Sequence, residues 1–198
     1  MGTFHKLPVP VPLGASKLVA YNPERHHRRS VRLPTYDYSQ PGAYFVTIVA
    51  QGRECLFGQV ANGSVLLSDV GKIVAEELAA AAQTYAGVAC DSCVIMPNHL
   101  HVVFTITGTV GAIHELPLPS KRVDRRKMLL EKVVGRFKMR SAKRINILRN
   151  ASGNIVWQRN YYEHIVRDEN ELQRNREYIR INPALWAGDR ENPDNHPS

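Results

Sequence analysis

Two histidines one residue apart, His99 and His101, sit in the apolar run Val94-Ile95-Met96-Pro97-Asn98-His99-Leu100-His101-Val102-Val103-Phe104. On a β-strand, residues i and i+2 project from one face, so the two imidazoles would stand side by side and could grip one divalent ion. The same pattern also fits two strand histidines that each bond a backbone carbonyl. A metal centre needs a third ligand, and catalysis needs an open position as well. Much later in the chain, Tyr178 and Asn182 offer what the pair lacks. Four apart on a helix, they share a face one turn from each other. An amide oxygen beside two imidazoles suits Mg²⁺ or Mn²⁺ better than a closed zinc site, and the Tyr178 hydroxyl would lie over the ion. A phenol with a pKa of about 10 needs activation, which a metal-polarised phosphate would assist. Without the histidines, Tyr178 reads as a residue packing on a sheet and Asn182 as a C-cap ahead of Pro183.

The cysteines offer less. There are three, and an odd number suits a reducing compartment better than a disulfide framework. Cys90-Asp91-Ser92-Cys93 has CxxC spacing, but Cys55 alone does not complete a zinc site. A redox CxxC usually opens a helix, whereas this one runs into a strand. Buried, chemically idle cysteines are the expectation.

The elements that must position these groups can be read in order. Residues 1–35 carry Pro8, Pro10 and Pro12 and then the cluster Arg25-His26-His27-Arg28-Arg29, with no sustained period, and read as a flexible basic tail. Residues 36–187 form the domain, and 188–198 read as a polar C-terminal tail. Ala43 to Ala50 is β-branched and aromatic and predicts a central strand. Asn62-Gly63 between apolar runs predicts a hairpin. Ser68 or Asp69 caps a helix of about fifteen residues. Two strands follow, about Val88–Met96 and His99–Ile106, paired antiparallel across Pro97-Asn98. Thr107 to about Val123 reads as a loop, and the basic segment after it as an amphipathic helix. Ile155–Gln158 is a short extended piece. Asp168 precedes a last helix, Glu169 to about Ile181, stopped by Pro183. This order predicts an α+β two-layer sandwich, with an antiparallel ferredoxin-like sheet and helices on one face.

The net charge is +8, and the Lys121–Arg149 segment alone holds twelve Lys or Arg against Asp124 and Glu131. Such one-signed concentration points to a polyanionic partner. No apolar run approaches the roughly 20 residues that cross a bilayer. Val9–Val19 is broken by Pro10, Pro12 and Gly14, unlike a signal peptide. A cytoplasmic protein without a membrane partner is expected.

The run VIMPNHLHVVF resembles the HUH motif, histidine–bulky hydrophobe–histidine, of the one-tyrosine single-strand DNA transposases. Trp157 to Arg167, Arg176 to Pro183, Tyr36-Asp37-Tyr38 with Gly42 to Thr47, and Gly135-Arg136-Phe137-Lys138 resemble the branch called REP-associated tyrosine transposases. The resemblance spans roughly residues 30–187. It implies the HUH endonuclease fold, with His99 and His101 as metal ligands, Asn182 as the third and Tyr178 as nucleophile. Tyr161 and Tyr162 do not occupy the nucleophile position, and His164 is expected to serve structure, with a DNA contact as the alternative. The implied activity is cleavage and rejoining of single-stranded DNA at palindromic hairpin repeats, dependent on Mg²⁺ or Mn²⁺, through a 5′-phosphotyrosine link. The protein would be bacterial and nucleoid-associated, acting as monomer or homodimer. Arg28, Arg29, Arg32, Arg125, Arg126, Lys132, Arg136 and Lys138 are the expected DNA contacts. The alternative is a non-catalytic hairpin DNA- or RNA-binding protein on the same fold. A replication- or relaxase-type nuclease is a further rival, disfavoured by the lack of a helicase domain.

Overall fold

The computed structural model describes residues 41–107 and 129–195. The N-terminal tail, the loop after Thr107 and the start of the basic segment lie outside these, as do Arg28, Arg29, Arg32, Arg125 and Arg126.

The described chain is α+β. Strand β1 (Gly42–Val49) is followed by the β2–β3 hairpin (Gly58–Ala61 and Ser64–Leu67), helix α1 (Asp69–Gln83) and strands β4 (Val88–Ile95) and β5 (His99–Ile106). Helix α2 (Leu129–Leu148), strand β6 (Tyr162–Val166) and helix α3 (Glu169–Ile181) complete it. The main sheet has order β4-β5-β1-β6 with every neighbouring pair antiparallel, the split-βαβ arrangement the element order predicts.

Local chemistry accounts for several boundaries. Asn62 and Gly63 both take positive φ (52° and 69°), as a two-residue hairpin turn demands. The Ser68 hydroxyl accepts from the Gly71 amide and caps α1, and the Asp168 carboxylate does the same for α3 through Glu171. Gly71 is needed for another reason: a Cβ there would lie 2.0 Å from the Phe57 carbonyl oxygen, so α1 packs tightly on the preceding loop.

The sheet's alternation sorts its residues between two layers. Tyr44, Val46 and Ile48 of β1 join Leu100, Val102 and Phe104 of β5 in the main core, under Val74 and Leu78 of α1 and Val133, Val134 and Phe137 of α2. On the opposite face, Phe45 and Val103 pack under Ile179 of α3. The helices are therefore not all on one face: α1 and α2 cover one, and α3 covers the other. Period two requires this, because a strand that buries Leu100, Val102 and Phe104 must turn His99 and His101 the other way.

One strand is added and two further expectations change. Tyr162–Val166 is a strand on the sheet edge, pairing with Ala43–Thr47 of β1. The chain does not stop being ordered at Gly188. Asn182–Gly188 and Pro193–Asn195 are 3₁₀ turns, and Glu191 is tied to the body by an ion pair with Arg53 at 2.8 Å and by its carbonyl, which accepts from the Asn98 amide at 2.7 Å. The expected tail is thus, as far as Asn195, a packed segment. Nor are the cysteines buried: Cys55, in the loop before β2, and Cys93, on the edge strand β4, are exposed, and Cys90 is half-buried.

Candidate functional site

The β4–β5 turn holds the histidine strand in place from both sides. Met96 N–H donates to the His99 carbonyl, while the Pro97 and Asn98 carbonyls accept from the Phe57 and Ala50 amides, each at 2.8 Å. His99 is fully buried and His101 nearly so, both under α3 and the segment after it. Their Nε2 atoms lie 3.0 Å apart.

The far side of each ring is engaged. His99 Nδ1 lies 2.8 Å from Asn98 Oδ1, and His101 Nδ1 lies 2.8 Å from Thr47 Oγ1, the residue paired with it across β1 and β5. The Asn98 amide nitrogen donates to the Arg53 and Glu191 carbonyls, so its oxygen faces His99 and must accept. His99 therefore carries its proton on Nδ1 and presents the Nε2 lone pair inward. Burial drives both imidazoles toward the neutral form. His101 is pushed down to about 3, by burial and then by His99, and His99 falls in the same direction against the opposing charges of Asp189 and Glu191.

Two neutral imidazoles with Nε2 atoms this close are reconciled either by one shared proton or by a cation. Bonds of about 2.1 Å at right angles, as in an octahedral Mg²⁺ site, place neighbouring ligand atoms about 3.0 Å apart. The other walls suit an ion as well. Asp189 Oδ2 lies 3.9 Å from His99 Nε2, and ligand atoms of His99, His101 and Asp189 all fall within 4.8 Å of one another. Asn182 is buried, and its Oδ1 has no hydrogen-bond partner within the protein, which leaves it free to accept from a water or to take a cation.

Tyr178 comes to the same place from α3. Its Oη is 3.4 Å from His101 Nε2, its ring stands edge-on to His101 with centroids 5.1 Å apart, and Phe45 stacks beneath His101 at 5.4 Å. The residue as a whole is 39% exposed. Burial and then the Asp189 charge raise the phenol above its ordinary value, and a hydrogen bond from Asn182 opposes them. The Arg176 guanidinium clamps the Asp91 carboxylate of β4 through Nε (2.8 Å) and Nη2, fixing α3 near the tyrosine.

His99, His101 and Tyr178 thus meet where α3 lies over β5, and Asn182 caps that helix one turn beyond Tyr178. Among the described residues, the expected DNA contacts lie elsewhere. Lys132 and Arg136 lie on α2, across the sheet from the histidines, and the Lys138 ammonium donates to the Gln158 and Arg159 carbonyls. His164 Nε2 lies 2.7 Å from Glu171 Oε1, joining β6 to α3. Sequence reasoning missed Asp189, Asn98 and Thr47. Asp189 sits in a polar, proline-containing end that looks like a tail. Asn98 and Thr47 carried a signal: one flanks the histidine, and the other is a polar residue within an apolar strand. Among the described residues, no helix is long and apolar enough to cross a membrane.

No family model matches the chain. A protein of Haemophilus influenzae (strain ATCC 51907 / DSM 11121 / KW20 / Rd), itself uncharacterized, is 38% identical over 171 residues, 85% of this chain and 95% of the relative. The chain belongs to the family of that Haemophilus protein. Among solved structures, it is similar to a REP-associated tyrosine transposase bound to a REP hairpin, with TM-score 0.46 and 16% identity over 75% of this chain and 70% of that one. A candidate transposase from Deinococcus radiodurans R1 superposes with TM-score 0.41 and 15% identity over 75% of this chain and 95% of the other. Superpositions this loose say nothing of chemistry, which has to come from the residues.

Proposed function

We propose that the protein is a metal-dependent single-stranded DNA transposase of the tyrosine HUH kind, cleaving and rejoining strands at hairpin repeats. The observation that carries this reading is the 3.4 Å approach of Tyr178 Oη to His101 Nε2, beside two imidazoles 3.0 Å apart. The resemblance of the histidine and tyrosine motifs to REP-associated tyrosine transposases supplies the substrate class, single-stranded or hairpin DNA.

His99, His101, Asn182 and Asp189 would hold the ion. Bound there, Mg²⁺ or Mn²⁺ supplies charge neutralisation for a scissile phosphate. The protein's own groups do the rest. Asn98 and Thr47 fix the imidazole rings so that both Nε2 atoms face the pocket. Asp91 and Arg176 hold α3 so that Tyr178 meets the phosphate in line. Tyr178 Oη attacks phosphorus and the 3′ oxygen leaves, giving a 5′-phosphotyrosine link and a free 3′-OH. The phenolic proton passes to solvent and the departing 3′ oxygen takes one up from it, so the step balances, while the Asn182 amide favours the ionised phenol. Attack by a 3′-OH on the link restores a phosphodiester and frees the tyrosine, so no external energy source is needed.

A labelled hairpin oligonucleotide with a single-stranded foot tests this. With Mn²⁺ it should yield a protein–DNA adduct that survives denaturation, and Tyr178→Phe should lose the adduct while still binding the hairpin. Binding without cleavage by the wild-type protein in either metal would favour the non-catalytic alternative. An adduct formed by Tyr178→Phe would reject the nucleophile.

A further inference from the structure

The CxxC sequence lies on β4, and an irregularity in the strand changes what it can do. In a regular strand, residues i and i+3 point to opposite faces and their Cα atoms are about 10 Å apart. Here the register breaks: Cys90 pairs with Phe104, Ser92 with Val103 and Cys93 with Val102, with Asp91 bulged between. Three steps on β4 therefore span only two on β5. Both cysteines face the side of Phe104 and Val102, and their Cα atoms are separated by about the two-residue rise, near 6.7 Å. A disulfide spans Cα separations of about 4.4–6.8 Å. The bulge thus brings within reach a pair that a straight strand would keep apart.

We propose that Cys90 and Cys93 are a redox-active dithiol, which a peroxide converts to an intrachain disulfide across the β4 bulge. Exposure assigns the roles: Cys93 is exposed and meets the oxidant, while Cys90 is half-buried and resolves. The thiols also share a hydrogen bond. It pulls Cys93 down to about 7 and pushes Cys90 up, so a thiolate at neutral pH resides on the accessible sulfur. The Cys93 thiolate attacks one oxygen of hydrogen peroxide, the O–O bond breaks, and hydroxide leaves and is protonated to water. The Cys90 sulfur then attacks the Cys93 sulfenic acid. The S–S bond forms, the S–OH bond breaks, and the departing hydroxide takes the Cys90 proton as a second water. Two thiols are oxidised, and two electrons reduce one peroxide. The closed loop contains Asp91, whose carboxylate holds Arg176 of α3.

The full chain carrying Cys55→Ser isolates the pair, since Cys55 is the third cysteine. After one equivalent of peroxide, intact mass should fall by about 2 Da with no alkylatable thiol left. Dithiothreitol should restore both thiols. Adding Cys90→Ser or Cys93→Ser should abolish the 2 Da loss. Peptide mapping of oxidised wild type should find the bridge within the one peptide that carries both cysteines, whatever the variants do. A mass gain of one or more oxygens, a covalent dimer, or two thiols surviving the treatment would each overturn the proposal.

Discussion

The residues that touch Tyr178, His99 and His101 matter as much as the three themselves. Asn98 spends its amide nitrogen on the Arg53 and Glu191 carbonyls and its oxygen on His99, so one side chain joins the turn, the loop after β1 and the C-terminal segment. Asn98→Ala should weaken Mn²⁺ binding roughly 10- to 100-fold, as loss of such outer partners does elsewhere. Calorimetric titration would read this, and an unchanged Kd would remove Asn98 from the account. The imidazoles also predict a pH dependence of folding. Both are lowered from 6.5 in the native state, His101 to about 3. The unfolded chain therefore binds more protons below about pH 6.5, and stability falls as pH drops from there toward the folded values. Without metal, Tm should decline from about pH 7 to about pH 4.5, and His101→Gln should flatten that decline. A variant with the wild-type slope would contradict the buried, neutral imidazole.

At the scale of elements, the site is a meeting of β5 with α3 and the segment that follows it. Much of this was legible. Alternation and the Pro97-Asn98 break located β5 at His99–Ile106, and Asp168 with Pro183 bracketed α3 at Glu169–Ile181. Strand β6 was not legible, because Tyr-Glu-His-Ile-Val is short, mixes polar with apolar side chains and pairs only on the sheet edge. Asp189 was hidden for a related reason. Residues 189–195 carry local turn bonds, Asp189 Oδ1 accepting from the Glu191 amide and Asn192 Oδ1 from the Asp194 amide. What docks them on the body is long-range pairing, Arg53 with Glu191 and Asn98 with the Glu191 carbonyl, which leaves no periodic pattern. Close packing under α1 gives a test of the fold. Gly71→Ala ought to raise helix propensity, yet its Cβ would meet a backbone oxygen that cannot swing away. A net destabilisation of about 1–3 kcal/mol is expected in denaturant melts, and stabilisation would contradict the tight α1–loop contact.

Across the whole molecule, the sheet separates two surfaces. The tyrosine and histidines lie under α3 on one face, while α2 presents its basic side on the other. Among the described residues, three of the cations there are already paired within the fold: Arg140 and Arg144 hold Glu77, and Lys138 holds backbone carbonyls. If Lys132 and Arg136 neutralise DNA phosphates, replacing both with alanine should flatten the slope of log K against log salt by about 1.4. Lys138→Ala should instead lower Tm and leave the slope alone. An unchanged slope in the double variant would move the nucleic acid off this helix.

The central claim is that Tyr178, and no neighbouring tyrosine, is the nucleophile of a metal-dependent strand cleavage. Mass mapping of the adduct formed with a hairpin oligonucleotide and Mn²⁺ tests it most directly, after nuclease trimming and proteolysis. The account predicts a nucleotide phosphate on the peptide containing Tyr178, and none when metal is withheld. A modified Tyr161 or Tyr162, or an adduct that forms equally well in chelator, would contradict it.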